Sequence, residues 1–400
     1  MHLITSLLLL LVAARVCGEF AERLRQPAML GEITAGIILG PTLLHLVPMT
    51  PALGAISNLG VLFLVLLTGM ELDPAAVLEA LQGKKSAVAL AGFFVPLFLG
   101  ILVGAGFGLD SMRMIFLGLC IAVTALPVAV RMLMDIDELH SPCGRQIIAA
   151  AAANDVMALL ILGIVLGTSD QPSWLAFAKI LSLSAVKVAA LMAAFVGAYR
   201  IARRAAAWAA ESKRKLRAAL SVLKGKETLF AGMLLLVLLF ASLSEIAGLN
   251  FVVGAFFGAM LISRELLGDA SYEEVQRTAS GITMGFLAPI FFAGMGLDFD
   301  LLALPGKWFV AATIAAAFIG KFGGGYWGGR MAGFSKAESR IIACGINGRG
   351  ILNLVIANIA LRKGFIGPGL FSALILMSLA TTLATPALLK RALRAQKISQ

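Results

Sequence analysis

Charged residues are scarce in this chain of 400 residues, at 14%, while hydrophobic residues make up 60%. A soluble domain carries about a quarter charged residues. Apolar runs of about twenty residues recur along the whole length, and each is long enough to cross a hydrocarbon core of about 30 Å. The composition therefore excludes an ordinary soluble protein and predicts an all-α protein that crosses a membrane many times.

Cysteine and histidine are rare as well. The four cysteines form no CxxC pair, and the three histidines are scattered along the chain. Neither a disulfide framework nor a site for a soft metal is predicted, and no cofactor is expected. The net charge of +11 is not accompanied by a basic face interleaved with aromatic residues. Nucleic acid is therefore excluded as a partner.

The basic residues instead indicate how the chain is threaded. We predict about 13 transmembrane helices, at 3–20, 27–44, 55–70, 87–107, 112–133, 146–166, 174–198, 229–246, 251–267, 275–296, 308–329, 339–360 and 365–389. Most Lys and Arg fall on one set of alternate loops, and the other set holds only Arg113, Lys179, Lys307, Arg362 and Lys363. This asymmetry places the amino terminus outside and the carboxyl terminus in the cytoplasm of an inner membrane.

The segment 200–226 is the most basic part of the chain and interrupts the series of helices. We interpret it as a cytoplasmic linker between two halves of the molecule. Binding of anionic membrane lipid by this segment is the alternative interpretation.

Three charged residues remain near the middle of predicted spans. Asp155 lies ten residues past Arg145 at the membrane edge, which places it about 15 Å deep. Lys321 and Arg349 reach about the same depth, at about 13–14 Å. Charges at this depth are costly and usually mark an ion or substrate path. The alternative is a structural role, in which Lys321 or Arg349 only compensates a buried charge.

Two predicted helices contain residues that break a helix. The fifth carries Thr124 and Pro127 at its centre, and the twelfth carries the segment 345–350, which includes Gly348 and Gly350. Irregular backbone at this depth is tolerated only in a protein interior or beside water. Two interrupted, crossing helices of opposite direction predict an inverted-repeat transporter. A pair of ordinary packing kinks is the alternative.

The oxygen atoms near these breaks suit a monovalent cation. The Thr124 hydroxyl, the Asp155 carboxylate and freed backbone carbonyls are hard ligands, which favour Na⁺, K⁺ or Li⁺ over soft metals. A carboxylate that holds either a proton or a cation is the minimum requirement for exchange. We therefore predict a secondary antiporter that exchanges a monovalent cation for H⁺, with Asp155 and Thr124 as cation ligands, and no enzymatic activity.

Four further segments form an ordered set of motifs: Gln26 to Pro41, Gly60 to Asp73, Glu245 to Gly258 and Phe291 to Leu297. Together with the residues above, they resemble the monovalent cation–proton antiporter superfamily, in particular its Kef- and Nap-type sodium/hydrogen exchanger branch. The resemblance covers nearly the whole chain.

The resemblance implies one membrane transporter domain over 1–400. Its core ion-transport bundle, of the fourth to sixth and eleventh to thirteenth helices, moves against a scaffold or dimer domain made of the remainder, within a homodimer. The resemblance also implies that Asp155 carries the ion, with Asn154 as its motif neighbour. Thr124 and Lys321 match residues of the family site. Members that move two protons per cation usually have a second aspartate where this chain has Asn154, which favours one-for-one exchange.

Two other functions are compatible with parts of the pattern. A sodium-coupled symporter of an organic anion on a similar fold would hold the anion's carboxylate with Arg349 or Lys321. An intramembrane aspartyl protease is the remoter alternative. It needs two aspartates that share a proton, and of the aspartates only Asp155 is predicted to lie deep in a span.

Overall fold

The computed structural model describes residues 2–24, 26–72, 83–124, 126–134, 138, 141–166, 197, 226–247, 249–262 and 264–399. Two sequence predictions lie outside these residues. They are the seventh helix, at 174–198, and the basic linker, at 200–226, apart from residues 197 and 226.

The described segments contain helices and no strands. The helices are α1 (Leu3–Arg23), α2 (Ala28–Leu39), α3 (Pro51–Glu71), α4 (Ser86–Gly106), α5 (Ser111–Ala122), α6 (Leu126–Met134), α7 (Pro142–Leu166), α8 (Lys226–Ile246), α9 (Phe251–Met260), α10 (Arg264–Leu267), α11 (Asp269–Ile282), α12 (Ala288–Leu297), α13 (Lys307–Met331), α14 (Lys336–Gly345), α15 (Ile351–Arg362) and α16 (Pro368–Ser399). A π-helical turn, Thr283–Leu287, joins α11 to α12.

Eight continuous helical segments of the described chain are long and apolar enough to cross a membrane, and α2, α5, α9 and α15 are shorter apolar helices. The predicted all-α class and the repeated crossing of the membrane are confirmed. The count of about 13 transmembrane helices and the inverted repeat stay predictions.

The chain divides into two compact units. Unit 1 comprises Met1–Asn58, Ala75–Ala158 and Pro289–Gln400, and unit 2 comprises Leu59–Pro74 and Leu159–Ala288. In unit 2, the Tyr272 hydroxyl on α11 donates to the Met70 carbonyl of α3 at 2.8 Å. Gly69 allows α3 to approach α9, since an added Cβ would meet the Phe256 carbonyl oxygen at 2.7 Å. All the candidate site residues lie in unit 1.

In unit 1, α13 contacts α4 through a row of glycines at every fourth position. Gly320, Gly324 and Gly328 share one helix face, and a Cβ at Gly324 would lie 2.3 Å from the Ala91 carbonyl oxygen. Small residues at this spacing let two membrane helices approach backbone to backbone. The approach brings Lys321, next to Gly320 in the chain, against α4.

The fifth predicted helix, 112–133, consists of the two short helices α5 and α6. After α5 ends at Ala122, Val123 is extended, and α6 begins at Leu126. Pro127 is the second residue of α6 rather than the centre of the break. A proline in the first turn of a helix removes an N–H that has no helical partner there. The proline therefore starts the second half of the helix.

The twelfth predicted helix, 339–360, is likewise two helices, α14 and α15. Gly348 and Gly350 lie in the non-helical stretch between them. A Cβ at Gly348 would lie 3.2 Å from both Met132 and Val128 on α6. The second break therefore packs directly on the helix that follows the first break.

Several predicted helix ends differ from the structure. The ninth helix was expected to run to residue 267, but α9 ends at Met260 and α10 is a separate short helix. The tenth was expected to begin at residue 275, but α11 begins at Asp269.

The second helix was expected to run to residue 44, but α2 ends at Leu39 and Gly40 is extended. Pro41 disfavours helical backbone in the residue before it, which explains the early end. The last helix was expected to end at residue 389, but α16 continues to Ser399. Its basic tail is rich in Lys, Arg and Ala, which favour helix.

The end of α15 is joined to the loop that follows α12 by an ion pair. Arg362 Nη2 lies 3.3 Å from Asp298 Oδ2, and both side chains are partly exposed. Burial raises the pKa of the Asp298 carboxyl, and the Arg362 guanidinium opposes this rise. A partly exposed pair of this kind contributes about 0–1 kcal/mol of stability.

Candidate ion-binding site

Lys321 is fully buried on α13. Its ammonium nitrogen donates to the Gly92 carbonyl of α4 at 2.9 Å and to the Ala122 carbonyl at the end of α5. It also donates to the Thr124 hydroxyl oxygen at 2.5 Å. Three acceptors match the three hydrogens of an ammonium group. The lysine thus connects α4 and α13 to the first helix break.

Arg349 lies at the second break and reaches across to the first. Its Nη1 donates to the carbonyls of Cys120 at 3.3 Å, Ile121, and Val123 at 2.9 Å. Its Nη2 lies 3.4 Å from the Ala317 carbonyl of α13. The last carbonyls of a helix have no partner within the helix and form the negative end of its dipole. Arg349 therefore caps the carboxyl-terminal end of α5.

Thr124 is the meeting point of the two breaks. Its hydroxyl lies 3.1 Å from the Ile346 carbonyl oxygen and 3.1 Å from the Asn154 side-chain amide. With the Asn154 amide nitrogen turned to the carbonyls of Ala89 and Ala150, at 3.0 and 3.2 Å, its oxygen accepts from Thr124. The hydroxyl proton is then shared between Asn154 and Ile346. Asn154 and Thr124 thereby connect α7 to both breaks.

Asp155 follows Asn154 on α7 and is 1% exposed. Its carboxylate and the Lys321 ammonium act on each other electrostatically. Helix α7 also supports the second break, because a Cβ at Gly345 would lie 2.3 Å from Ile147 Cδ1. The acid and the ammonium group therefore belong to one buried site beside both breaks.

The last helix stabilises the irregular backbone of the second break. Asn347 Nδ2 donates to the Thr385 hydroxyl at 3.1 Å. The Thr382 hydroxyl donates to the backbone carbonyl of Arg349 at 3.2 Å. The bond from Thr382 gives the Arg349 carbonyl a partner that a continuous helix would otherwise provide. Helix α16 thus holds the backbone of Arg349 and the side chain of Asn347 in the second break.

Comparison with known proteins identifies the family. The sequence profile described as "Sodium/hydrogen exchanger, transmembrane" matches residues 7–395. The chain belongs to the sodium/hydrogen exchanger family. The predicted resemblance is therefore confirmed, and so is the prediction that the chain is a transporter and not an enzyme.

Similar proteins match this exchanger-family chain over nearly its whole length. It is 28% identical over 388 residues to the Na⁺/H⁺-K⁺ antiporter GerN of Bacillus cereus, covering 96% of this chain and 94% of GerN. It is 29% identical over 412 residues to the Na⁺/H⁺ antiporter NhaS4 of Synechocystis, covering 96% and 95% of the two chains. The solved structure of the sodium proton antiporter MjNhaP1 from Methanocaldococcus jannaschii superposes with a TM-score of 0.66 at 18% identity, covering 97% and 96%. The last similarity shows an antiporter fold.

Within this exchanger fold, the predicted site residues are brought together to different degrees. Thr124 contacts both Asn154 and Lys321 directly, and Asp155 is joined to this group through the chain and through its charge. Arg349 contacts the backbone of the first break. Pro127, Gly348 and Gly350 shape the two breaks and supply no side-chain ligand.

The sequence patterns did not mark every buried polar group of this exchanger. The backbone carbonyls of Gly92 and Ala89 accept hydrogen bonds at the site, and the side chains of these residues give no sign of it in the sequence. Glu32 was not singled out, although it is a charged residue inside an apolar helix, which is the signal that identified Asp155. It is only 5% exposed and lies outside the candidate ion-binding site.

The arrangement suits a hard monovalent cation. The Thr124 hydroxyl, the Asn154 amide and the Asp155 carboxylate are oxygen ligands, and such oxygens select alkali cations. No group of three His, Cys, Asp or Glu side chains that could hold a metal ion is found in the described segments. The carbonyls of the first break, expected as further cation ligands, instead accept hydrogen bonds from Lys321 and Arg349.

Proposed function

We propose that this chain is a secondary active antiporter that exchanges a monovalent cation, Na⁺ or K⁺, for H⁺. The observation that carries the proposal is the buried cluster of Thr124, Asn154 and Asp155 beside two helix breaks. Two buried cations are engaged by backbone carbonyls around it. The named activities of GerN and NhaS4 support exchange of this type.

Asp155 is the group that binds a proton or a cation alternately. A cation bound by its carboxylate would use the Thr124 hydroxyl oxygen as a second ligand. That oxygen now accepts from Lys321 at 2.5 Å. Cation binding at that oxygen is expected to weaken this hydrogen bond, because the positive charges of the ammonium group and the cation repel each other. Lys321 thereby keeps the site charge-compensated when the cation is absent.

One-for-one exchange follows from the number of acids in the cluster. Asn154 is neutral, and its amide nitrogen faces the carbonyls of Ala89 and Ala150. A carboxylate in that place could not donate to these carbonyls. With a single titrating acid, replacement of one proton by one monovalent cation leaves the charge of the site unchanged.

The architecture of the molecule is proposed to follow the family. The fourth to sixth and eleventh to thirteenth predicted helices form the moving core, and the remainder of residues 1–400 forms the scaffold and the contact between two copies in a homodimer. The protein lies in the inner membrane, with its amino terminus outside and its carboxyl terminus in the cytoplasm.

Symport of an organic anion is disfavoured by the contacts of the two cations. Lys321 and Arg349 both donate to backbone carbonyls at the break. An anion's carboxylate would have to displace these bonds and leave buried carbonyls without a donor, which costs about 1–3 kcal/mol for each group.

Proton flux in proteoliposomes tests the proposal. Vesicles that hold the purified chain and a pH-sensitive dye receive Na⁺, K⁺ or Li⁺ in turn, with no organic solute present. We expect a cation-driven pH change in the parent and none with Asp155→Asn. Asp269→Asn is the matched control, because Asp269 is an exposed aspartate at the start of α11. Full activity of Asp155→Asn, or a flux that requires an organic anion, would overturn the proposal.

A further inference from the structure

Three buried polar atoms at the second break and in the first turn of α15 lack a hydrogen-bond partner among the residues that the structure describes. They are the side-chain oxygens of Asn347 and Asn353 and the Nε nitrogen of Arg349. These three side chains are at most 2% exposed. Such groups are costly when left unpaired in a protein interior, and almost all of them are paired with protein atoms or ordered water. The second break is therefore a candidate site for a further ligand.

Arg349 and Asn353 meet at Cys120, in the last turn of α5. The Cys120 carbonyl accepts from Arg349 Nη1 at 3.3 Å, and the Cys120 Sγ lies 4.0 Å from the backbone carbonyl oxygen of Asn353. Asn347 is two residues before Arg349, so their Cα atoms lie at most about 7 Å apart. The three groups without a partner therefore belong to one small region between α5, α15 and the second break.

Helix α16 brings four hydroxyl groups to this region. They recur at helical spacing, are each at most 4% exposed, and belong to Ser378, Thr381, Thr382 and Thr385. Each hydroxyl donates its proton to a backbone carbonyl, so that its oxygen can only accept. The Asn353 amide nitrogen donates to Ser378, and the Asn347 amide nitrogen donates to Thr385. Both amides are thus held by their nitrogen atoms, and their oxygen atoms remain to be paired.

The chemical types of the three atoms identify the ligand. Arg349 Nε carries a hydrogen and belongs to a positive group, so it opposes an alkali cation. The amide oxygens of Asn347 and Asn353 are acceptors, so they oppose an anion. Water accepts and donates at the same time, and a buried water molecule makes about three hydrogen bonds to polar groups that have no other partner. The combination of one donor with two acceptors therefore fits water.

Apolar side chains follow the hydroxyl groups along α16. Leu389, one turn beyond Thr385, is 1% exposed and belongs to a buried apolar cluster that also includes Met132 and Ile346. The polar region is therefore covered by apolar packing at this end of α16. Ile346 also connects it to the ion-binding site, because its carbonyl accepts from the Thr124 hydroxyl at 3.1 Å. Water bound here lies inside the protein and next to that site.

We propose that the second break binds ordered water between α15 and α16. Arg349 Nε donates to this water, and the side-chain oxygens of Asn347 and Asn353 accept from it. The water supplies the hydrogen bonds that these side chains do not obtain from the protein. The site does not include Asp155 and does not depend on the proposed exchange activity.

Radiolytic oxidation of the purified full-length chain in detergent tests the proposal. An X-ray pulse splits water into hydroxyl radicals, and a radical formed from a buried water oxidises the side chain beside it, which mass spectrometry detects. Cys120 is the probe, because it is 0% exposed and contacts both Arg349 and Asn353. Cys143 is the internal control, because it is 8% exposed and lies in the apolar cluster. We expect faster oxidation of Cys120, although exposure alone predicts the opposite order.

Two variants of α15 assign the water to its site. Asn353→Leu replaces the amide by an apolar group of similar size and is expected to slow Cys120 oxidation by about tenfold or more, because the water loses an acceptor. Asn358→Leu is the matched control, since it removes an equally buried amide of the same helix. Five residues turn a helix by about 500°, so Asn358 lies on a different face from Asn353. It should leave the oxidation of Cys120 unchanged.

Three outcomes would overturn the proposal. The first is oxidation of Cys120 no faster than that of Cys143 in the parent, which decides the matter even if Asn353→Leu does not fold. The second is parental oxidation of Cys120 in a folded Asn353→Leu. The third is suppression of Cys120 oxidation by Na⁺ or K⁺ in Asp155→Asn, which lacks the carboxylate of the ion-binding site. That result would indicate an inorganic cation at the second break in place of water.

Discussion

Lys321 and Arg349 donate hydrogen bonds to the carbonyls at the end of the interrupted helix, as water does at the end of a helix in a soluble protein. The carbonyls of residues 120–123 lie at the end of α5, deep in the protein, where no helical partner follows. Arg349 takes three of them and Lys321 takes the fourth. Lys321 also donates to the Thr124 hydroxyl oxygen, at 2.5 Å. The two cations therefore engage the carbonyls of the break, and an ion bound beside Asp155 must share the Thr124 oxygen with Lys321.

Thr124→Val tests the hydroxyl as a cation ligand. Valine keeps the shape of threonine but removes the oxygen, so a bound cation loses one ligand. We expect the KM for the transported cation to rise by about tenfold or more, since hydrogen bonds and contacts to charged groups contribute about 1.5–3 kcal/mol. The measurement is the cation dependence of proton flux in proteoliposomes.

Two substitutions serve as controls for Thr124→Val. Thr124→Ser keeps the oxygen and should keep the parental KM. Thr313→Val removes an equally buried hydroxyl on α13 that has no hydrogen-bond partner among the described residues. It should leave the KM unchanged. A parental KM in Thr124→Val would remove Thr124 from the set of cation ligands.

Among the secondary-structure elements, the contact between α4 and α13 is decisive for the site. Glycines at every fourth position of α13 allow the backbones to touch, and this contact places Lys321 within 2.9 Å of the Gly92 carbonyl. Any side chain on this row must push the helices apart. The ammonium would then lose its acceptor on α4.

Adjacent glycines on α13 provide a matched pair of variants. Gly324→Ala puts a methyl group 2.3 Å from the Ala91 carbonyl oxygen, whereas Gly323→Ala meets nothing within 4 Å. We expect Gly324→Ala to lower the free energy of unfolding by about 1–3 kcal/mol and to reduce exchange. Gly323→Ala should raise the free energy of unfolding by about 0.5–1 kcal/mol. Thermal unfolding and proton flux of both variants measure these effects, and equal behaviour of the two would contradict the packing account.

The helices and the buried charges could be predicted from the sequence, whereas their pairing could not. Apolar runs and breaker residues predict α5, α6, α14 and α15 because these signals are local. Two of the acceptors of Lys321, on Ala122 and Thr124, lie more than 190 residues away from it in the sequence. No local pattern marks such contacts. The role of Pro127 was also missed, since a proline signals a break without telling on which side the helix ends.

For the whole molecule, the distribution of basic residues predicts how the chain is oriented. Lys307 and Arg330 lie near opposite ends of α13, which is one of the membrane-crossing helices. The positive-inside rule assigns the Lys307 end to the outside and the segment after Met331 to the cytoplasm.

Cysteine labelling in whole cells tests the orientation. In a background with the four native cysteines replaced by serine, a membrane-impermeant maleimide is expected to label Lys307→Cys in intact cells. Lys336→Cys should be labelled only after permeabilisation, because it lies beyond the other end of α13. The cysteine-free chain is the control. The reverse labelling pattern would place the amino terminus in the cytoplasm.

The central claim is that one buried carboxylate holds either a proton or a cation. Proton release from the purified chain in weakly buffered detergent solution tests it most directly, with an indicator dye recording the pH as Na⁺ or K⁺ is added. The account predicts release of about one proton per bound cation from the parent, since cation binding requires a deprotonated ligand, and no release from Asp155→Asn. Proton release from Asp155→Asn equal to that of the parent would contradict it.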